Sequence, residues 1–339
     1  FFFKQKTAYE IKECDWSSDV CSSDLVIPKG LTRGTGLLNP SVFVDGNEIL
    51  VNLRHCNYTL VHAEANQKFP TKWGPLAYLH PEQDMRLVTE NYVCKLDDNL
   101  EMTQYAHVEM LKLHEPIWEF VGLEDARLVK WEDKFYLIGV RRDTTTYGQG
   151  RMEYSQINID WSLNSVEEIS RVRIPVPGPT ESYCEKNWVP VLDRPYNLVK
   201  WTCPTELVYA DPTEPKCETL FTKETPPPPK DQRGSSQVIK WGNMYISITH
   251  EVDLFQNYLK QKDAIYRHRL CLWDSEFNFI GLSSVFSFLD FPIEFCTGAA
   301  VYKDDLLISF GAADNAAFIL RTPKAVVEDL IKEALAYAN

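Results

Sequence analysis

The chain has 339 residues, of which 44% are hydrophobic, 24% charged and 12% aromatic, with a net charge of −13, a composition that supports a large globular core. So acidic a surface repels phosphate backbones and anionic lipid, and no basic block offsets it, which argues against nucleic acid or a membrane as partner. No run of about 18 apolar residues occurs, so no membrane-spanning helix is expected.

The chain changes character abruptly at Val26: residues 1–25 hold no sustained strand or helix periodicity and no apolar h-region of a signal peptide. They resemble the translation of a sequencing-library adapter and are set aside as a non-native segment, so that one domain is expected over 26–339. Seven of the nine cysteines lie beyond that segment. An odd number with no Cys-x-x-Cys pair predicts buried free thiols in a reducing cytoplasm, and His and Cys spacings suggest no metal site.

From Asn39 onward one plan recurs five times: polar residues, an apolar strand, a turn of Asp, Gly, Asn or Lys, and a second apolar strand. The five segments run from Asn39 to Arg54, Glu124 to Arg142, Lys186 to Trp201, Ser235 to His250 and Thr297 to Asp314. Weaker strand pairs with their own turns begin at Val93, Ile157 and Leu270. Two hairpins make a four-stranded blade, and five blades closing on an axis predict an all-β, five-bladed β-propeller with a C-terminal helix. A β-sandwich also has many short strands, but nothing in it calls for five copies of one pattern.

Residues 63–90 read as a long insertion overhanging the axis. Pro226 to Pro229 read as a stiff connector. The helix should open with Thr322 as N-cap and Pro323 in its first position, placing Val326, Val327, Leu330, Ile331, Ala334 and Leu335 on one face against the outside of the barrel.

In an antiparallel hairpin the first strand begins where the second ends. Applied to all five units, this gathers the unusual residues at one mouth of the central channel: Asn39 and Arg54; Glu124, Asp125, Arg127, Arg141, Arg142 and Asp143; Lys186 and Asn187; Arg233, Ser235, Ser236 and His250; Thr297 and Asp314. Singly, each has an ordinary explanation, such as Asn39 or Asp314 as a turn former, Arg54 as a surface charge and His250 as a satisfied edge histidine. Solvated strand ends have no reason to repeat at one register five times. An excess of cations in an acidic protein favours an anion such as phosphate or a sugar phosphate. Tyr58, Trp73, Trp188 and Tyr266 suit stacking on sugar faces or, Trp188 above all, filling the core.

At these residues the chain resembles the β-mannoside phosphorylases and hydrolases of glycoside hydrolase family 130 and related five-bladed mannosyltransferases, over roughly Gly36 to Leu320. The matching pieces are Asn39-Pro40-Ser41, Gly122-Leu123-Glu124-Asp125-Ala126-Arg127, Lys186-Asn187-Trp188 and Gly311-Ala312-Ala313-Asp314; Ala126 stands where proline is usual. The resemblance implies an inverting reaction with Asp125 as proton donor. It implies a sugar site drawn from Asn39, Glu124, Arg127, Asn187, Ser236 and Asp314, and a phosphate site drawn from Arg54, Arg141, Arg142, Lys186 and His250.

Inverting cleavage by water needs an acid and a second carboxylate as base, whereas phosphate is already anionic and needs only the acid and a cationic cradle. The expected function is phosphorolysis, or reverse synthesis, of β-mannosides, with an oligosaccharide or sugar phosphate as substrate, inorganic phosphate as co-substrate and no other cofactor. A hydrolase would use a second carboxylate such as Glu251 or Glu294. A mannosyltransferase and a non-catalytic oligosaccharide-binding propeller are the other readings, and a homo-oligomer is compatible with all of them.

Overall fold

The computed structural model describes residues 21–24, 36–60, 69–70, 77–79, 86–256 and 262–337. Alternate side chains of a strand leave opposite faces of its sheet, and here both faces are apolar. Along Lys134–Arg141, Tyr136, Ile138 and Val140 enter one core cluster while Phe135 and Leu137 enter another. A sheet apolar on both sides must be flanked on both sides, and five such sheets in a ring satisfy one another.

Blade 1 is formed by Leu37–Asp45, Glu48–Cys56, Leu87–Leu96 and Met102–Glu109; blade 2 by Leu123–Trp131, Lys134–Arg141, Arg151–Asp160 and Ser165–Arg173. Blade 3 holds Val189–Pro190, Asn197–Trp201, Thr205–Ala210 and Cys217–Lys223; blade 4 holds Ile239–Trp241, Met244–Gln256, Lys262–Trp273 and Phe279–Leu282. Blade 5 holds Glu294–Tyr302, Asp305–Ala312 and Ala316–Thr322, with Cys21–Asp24 as its outer strand. Each neighbouring pair shares a core: Leu50 and Leu128 between blades 1 and 2, Trp131 and Leu198 between 2 and 3, Leu207 and Trp273 between 3 and 4, Ile246 and Phe310 between 4 and 5, Leu307 and Val51 between 5 and 1. The last of these closes the ring, so the chain is the five-bladed β-propeller that the repeats predict.

Four details differ from the sequence reading. The first strand of blade 3 is only Val189–Pro190, because Pro190 has no N–H to continue the ladder. Thr322 ends a strand and its Oγ1 is buried without a partner among the described residues; the first helix amides of Val326 and Val327 bond to the Pro323 carbonyl instead. Helix Lys324–Tyr337 buries Val326, Val327, Ile331 and Ala334, but Leu335 is 39% exposed. It packs so tightly on blade 4 that a Cβ on Gly281 would lie 2.1 Å from the Ala334 carbonyl. Finally, Cys21–Asp24 lies within the segment set aside as non-native; main-chain pairing at a sheet edge accepts any extended segment with free N–H and C=O groups.

Most of the insertion expected at 63–90, Trp73 included, lies outside the described residues; Thr59–Leu60, Ala77–Leu79 and Phe69–Pro70 form a small sheet. Cys56, Cys94, Cys271 and Cys296 are buried free thiols, while Cys184, Cys203 and Cys217 are half-buried. Among the described residues no helix is long and apolar enough to cross a membrane.

Candidate active site at the propeller mouth

The inner strands of blades 1, 2 and 5 each break register near their first residues, between Leu38 and Ser41, Glu124 and Arg127, and Cys296 and Gly298. A bulge leaves a residue unpaired and re-aims its side chain. Asn39 and Asp125 sit in these breaks with φ of 46° and 49°, and Asn187 and Asp314 have φ of 63° and 48°. Asn and Asp tolerate the left-handed region best among residues with a Cβ, so the sequence supplies the residue types that this backbone demands.

The bulges bring Asn39 and Asp125 together. Asn39 Nδ2 donates to Asp125 Oδ1 at 2.7 Å, and Arg54 Nη1 donates to the same oxygen at 2.7 Å. Arg54 is itself held by Thr89 Oγ1 and Tyr58 OH, with Glu124 Oε2 3.6 Å from its Nη2. Gly122 (φ 100°) lets blade 2 pass under this corner, since a Cβ there would come within 2.2 Å of the Thr89 carbonyl. Asn39 Oδ1 is buried with no partner among the described residues, an acceptor available to a hydroxyl.

Two carboxylates at the mouth are driven apart in acidity. Burial favours the neutral acid at Asp125, but the charges of Arg54, Lys186 and Arg127 and the Asn39 hydrogen bond outweigh it and hold Asp125 down at about 2. At half-buried Asp314, burial and the negative charges of Asp125 and Glu124 prevail over Arg54 and Lys186, lifting it to about 6. Asp314 therefore holds its proton up to about pH 6, over a range in which Asp125 is already a carboxylate. Tyr266 stacks on His250 with centroids 5.8 Å apart, and burial together with Asp314 and Asp125 pushes its hydroxyl up to about 12. Burial, aided by His268, Lys186, Arg127 and Arg233, keeps His250 well below its ordinary value and thus neutral.

The other expected residues divide. Lys186 is exposed, and its charge is felt at Asp125, Asp314 and His250. Arg142 is half-buried over the Phe120 and Tyr183 rings, with Glu124 among the charges that favour its cationic form. Asn187 is buried beside Lys186. Arg127 is 1% exposed and works as a strut: its Nε and Nη2 bond to the Ser235 carbonyl across the axis, and its Nη1 to the Asp125 carbonyl. Arg141 is buried with its charge met by Glu153 at 2.8 Å and Asp143 at 3.4 Å. The Ser236 hydroxyl is consumed inside blade 4, donating to the Gln237 carbonyl and accepting from the Ile248 amide. Trp188 is core. Neither candidate second carboxylate is free: Glu251 accepts from Arg269 and Gln232, and fully buried Glu294 accepts three amides, of Phe288, Leu289 and Phe291.

Gln237 escaped the sequence reading. Its Nε2 lies within 3.1 Å of Ser41 Oγ, the Val42 carbonyl and the Leu128 carbonyl, while its Oε1 accepts from the Ala299 amide, so one buried side chain ties blade 4 to blades 1, 2 and 5. A signal was present: Ser41, Arg127 and Gln237 are each polar two residues beyond a polar residue of the repeat entry, Asn39, Asp125 and Ser235, where an inner strand enters the core.

Solved structures of other proteins share this architecture. A β-1,2-mannobiose phosphorylase from Listeria innocua superposes with a TM-score of 0.52 at 12% identity, over 88% of this chain and 93% of its own. The two chains share one fold, the five-bladed propeller. A protein from Parabacteroides distasonis assigned to the glycoside hydrolases (TM-score 0.55, 12% identity, 86% and 88% covered) and a glycosyl hydrolase from Bacteroides ovatus (0.51, 10%, 86% and 85%) share it too. No family model and no curated protein matches the sequence. The likeness to these structures is one of fold, and the chemistry has to be argued from the mouth itself.

Proposed function

We propose that the protein is a mannoside-active enzyme that cleaves β-mannosides at the propeller mouth with inversion, using inorganic phosphate as nucleophile, or runs the same reaction towards synthesis. The observation that carries this reading is the Asn39–Arg54–Asp125 cluster facing a second, protonatable carboxylate, Asp314. Paired acids with separated pKa values are the arrangement that glycoside cleavage asks for. The Listeria protein of the same fold is a β-1,2-mannobiose phosphorylase, which makes a β-1,2-mannoside the first substrate to try.

In this reading an incoming phosphate draws the field of Arg54 and Lys186 away from Asp125, which takes up a proton from Asp314 and delivers it, directly or through a substrate hydroxyl, to the leaving glycosidic oxygen as a phosphate oxygen bonds to the sugar carbon. Asn39 and Asn187 orient the sugar, and Tyr266 offers it a face. Lys186, Arg142 and Arg233 hold the phosphate. That Glu251 and Glu294 are both tied up supports an anionic nucleophile over a base-activated water. Asp125→Asn is expected to lower turnover at least about a hundredfold with an unchanged circular dichroism spectrum; retained turnover removes Asp125 from the chemistry. The value of about 6 at Asp314 favours a second reading, in which Asp314 is itself the donor. Then Asp314→Asn, and not Asp125→Asn, would abolish the fall in rate as pH rises past that value.

A further inference from the structure

On the rim between blades 2 and 3, beyond the blade strands that line the mouth, lies a cavity of about 350 Å³. Two guanidinium groups, Arg151 and Arg173, line it together with Gln149 and Thr180; its remaining wall is apolar, with Ile174, Val176 and Pro215, and no acidic side chain lines it.

The two arginines are not equally satisfied. Arg173 bonds to Glu153 at 3.1 Å and to the carbonyls of Arg141 and Gln149. That carboxylate is already shared with Arg141. Arg151, only 8% exposed, donates from Nη1 to the Gly150 carbonyl at 2.7 Å and to the Tyr183 carbonyl at 3.5 Å, and among the described residues no carboxylate lies within ion-pair distance of it. Burial and the charge of Arg173 make its cationic form costly and outweigh Glu185, which favours it from beyond ion-pair distance. A buried cation with no carboxylate in direct contact, facing a cavity in a protein of net charge −13, is an arrangement that an anion relieves.

We propose that this cavity is a second anion site, separate from the mouth, that binds a phosphate monoester of a small metabolite. Paired guanidinium forks match a tetrahedral oxyanion, and the Gln149 and Thr180 side chains add neutral partners. The apolar wall suits the carbon skeleton that carries the phosphate, and the volume is that of a small-molecule site. The site also reaches the mouth through the backbone. Tyr183, whose carbonyl Arg151 holds, stands three residues before Lys186; the Gly150 amide donates to the same carbonyl, and the Glu185 amide donates to the Gly150 carbonyl, which ties this segment to blade 2. The site does not depend on how the mouth is read.

Calorimetric titration of the full-length protein with inorganic phosphate, with mannose 6-phosphate and with mannose tests it. Lys186→Ala, an exposed change at the mouth, should leave mannose 6-phosphate binding at this cavity intact. In Arg151→Gln that binding should weaken at least about tenfold, the scale of a lost charge-assisted hydrogen bond. Pro215→Glu, which sets a carboxylate on an exposed part of the wall, should weaken it likewise without touching the arginines. Mannose should not compete, and inorganic phosphate should bind the same site more weakly. Unchanged affinity in both Arg151→Gln and Pro215→Glu, or phosphate-ligand binding lost entirely in Lys186→Ala, overturns the proposal; the latter result would leave the mouth as the sole anion site and the proposed function untouched.

Discussion

Asn39 and Asp125 stand 86 positions apart in the chain, yet the amide of one donates to the carboxylate of the other at 2.7 Å from backbones that are both left-handed, with φ of 46° and 49°. Each residue sits in a register break of its own blade, so the contact joins two equivalent bulges across a blade boundary. Left-handed backbone at a residue with a Cβ costs about 1–3 kcal/mol and is kept where the surrounding structure overrides it. Here it aims two polar groups at one point on the axis.

Asn39→Gly separates the backbone from the side chain. Glycine takes φ of 46° freely, so the melting temperature should move by only a few degrees. The donor to Asp125 and the open Oδ1 are both lost, and turnover on a β-mannoside should fall at least about tenfold, the kinetic equivalent of a charge-assisted hydrogen bond. Unchanged turnover would mean that Asn39 serves the fold alone.

Gln237 should prove the most sensitive neutral residue of the axis. Its Nε2 faces three oxygens, of Ser41, Val42 and Leu128. Gln237→Glu turns a donor into an acceptor among acceptors, or forces a buried carboxyl to keep its proton, at a cost of about 3 kcal/mol or more. The urea midpoint near neutral pH should drop accordingly, and a variant as stable as the parent would show that the blades do not need this tie.

Asp314 and Asp125 should give stability opposite slopes with pH. The Asp314 carboxyl titrates at 3.8 when unfolded and about 6 when folded. Below 3.8 both states hold the proton; between the two values only the native state does, so stability falls as pH rises through that window and stays low above it. Asp125, held at about 2, contributes stability above 3.8 that is lost as the pH falls towards 2. Asp314→Asn removes the first effect. Allowing for partial solvent screening, the variant should unfold with about 1–3 kcal/mol more free energy than the parent at about pH 8, and with no advantage at about pH 4. Urea unfolding at both values decides it, and a variant less stable at the higher pH would contradict the raised carboxyl.

The ring was legible because its cause is local. Apolar strands paired across short turns and repeated five times leave little but a propeller, and hairpin polarity alone sends Asn39, Arg54, Asp125, Lys186 and Asp314 to one end. What escaped depends on bulges and on distant register. The break between Glu124 and Arg127 changes the parity of the strand, so Arg127 enters the interior as a strut. Arg141 looked free because its partner Glu153 stands on the next strand, placed there by a turn the sequence does not fix. Ser236 and Gln237 lie where blade 4 interrupts its own inner strand between Gly234 and Ile239, and only that gap decides which of the two reaches the axis.

We propose that the mouth transfers a mannosyl group to phosphate with a proton drawn from Asp125 and Asp314. The most direct test is the product formed from β-1,2-mannobiose by the wild-type protein and by Asp125→Asn, with and without inorganic phosphate. The account predicts α-mannose 1-phosphate in proportion to the phosphate supplied, little free mannose from the donor unit without it, and at least about a hundredfold less of either product from the variant. Release of mannose at a rate indifferent to phosphate, or a variant as active as the parent, would contradict it.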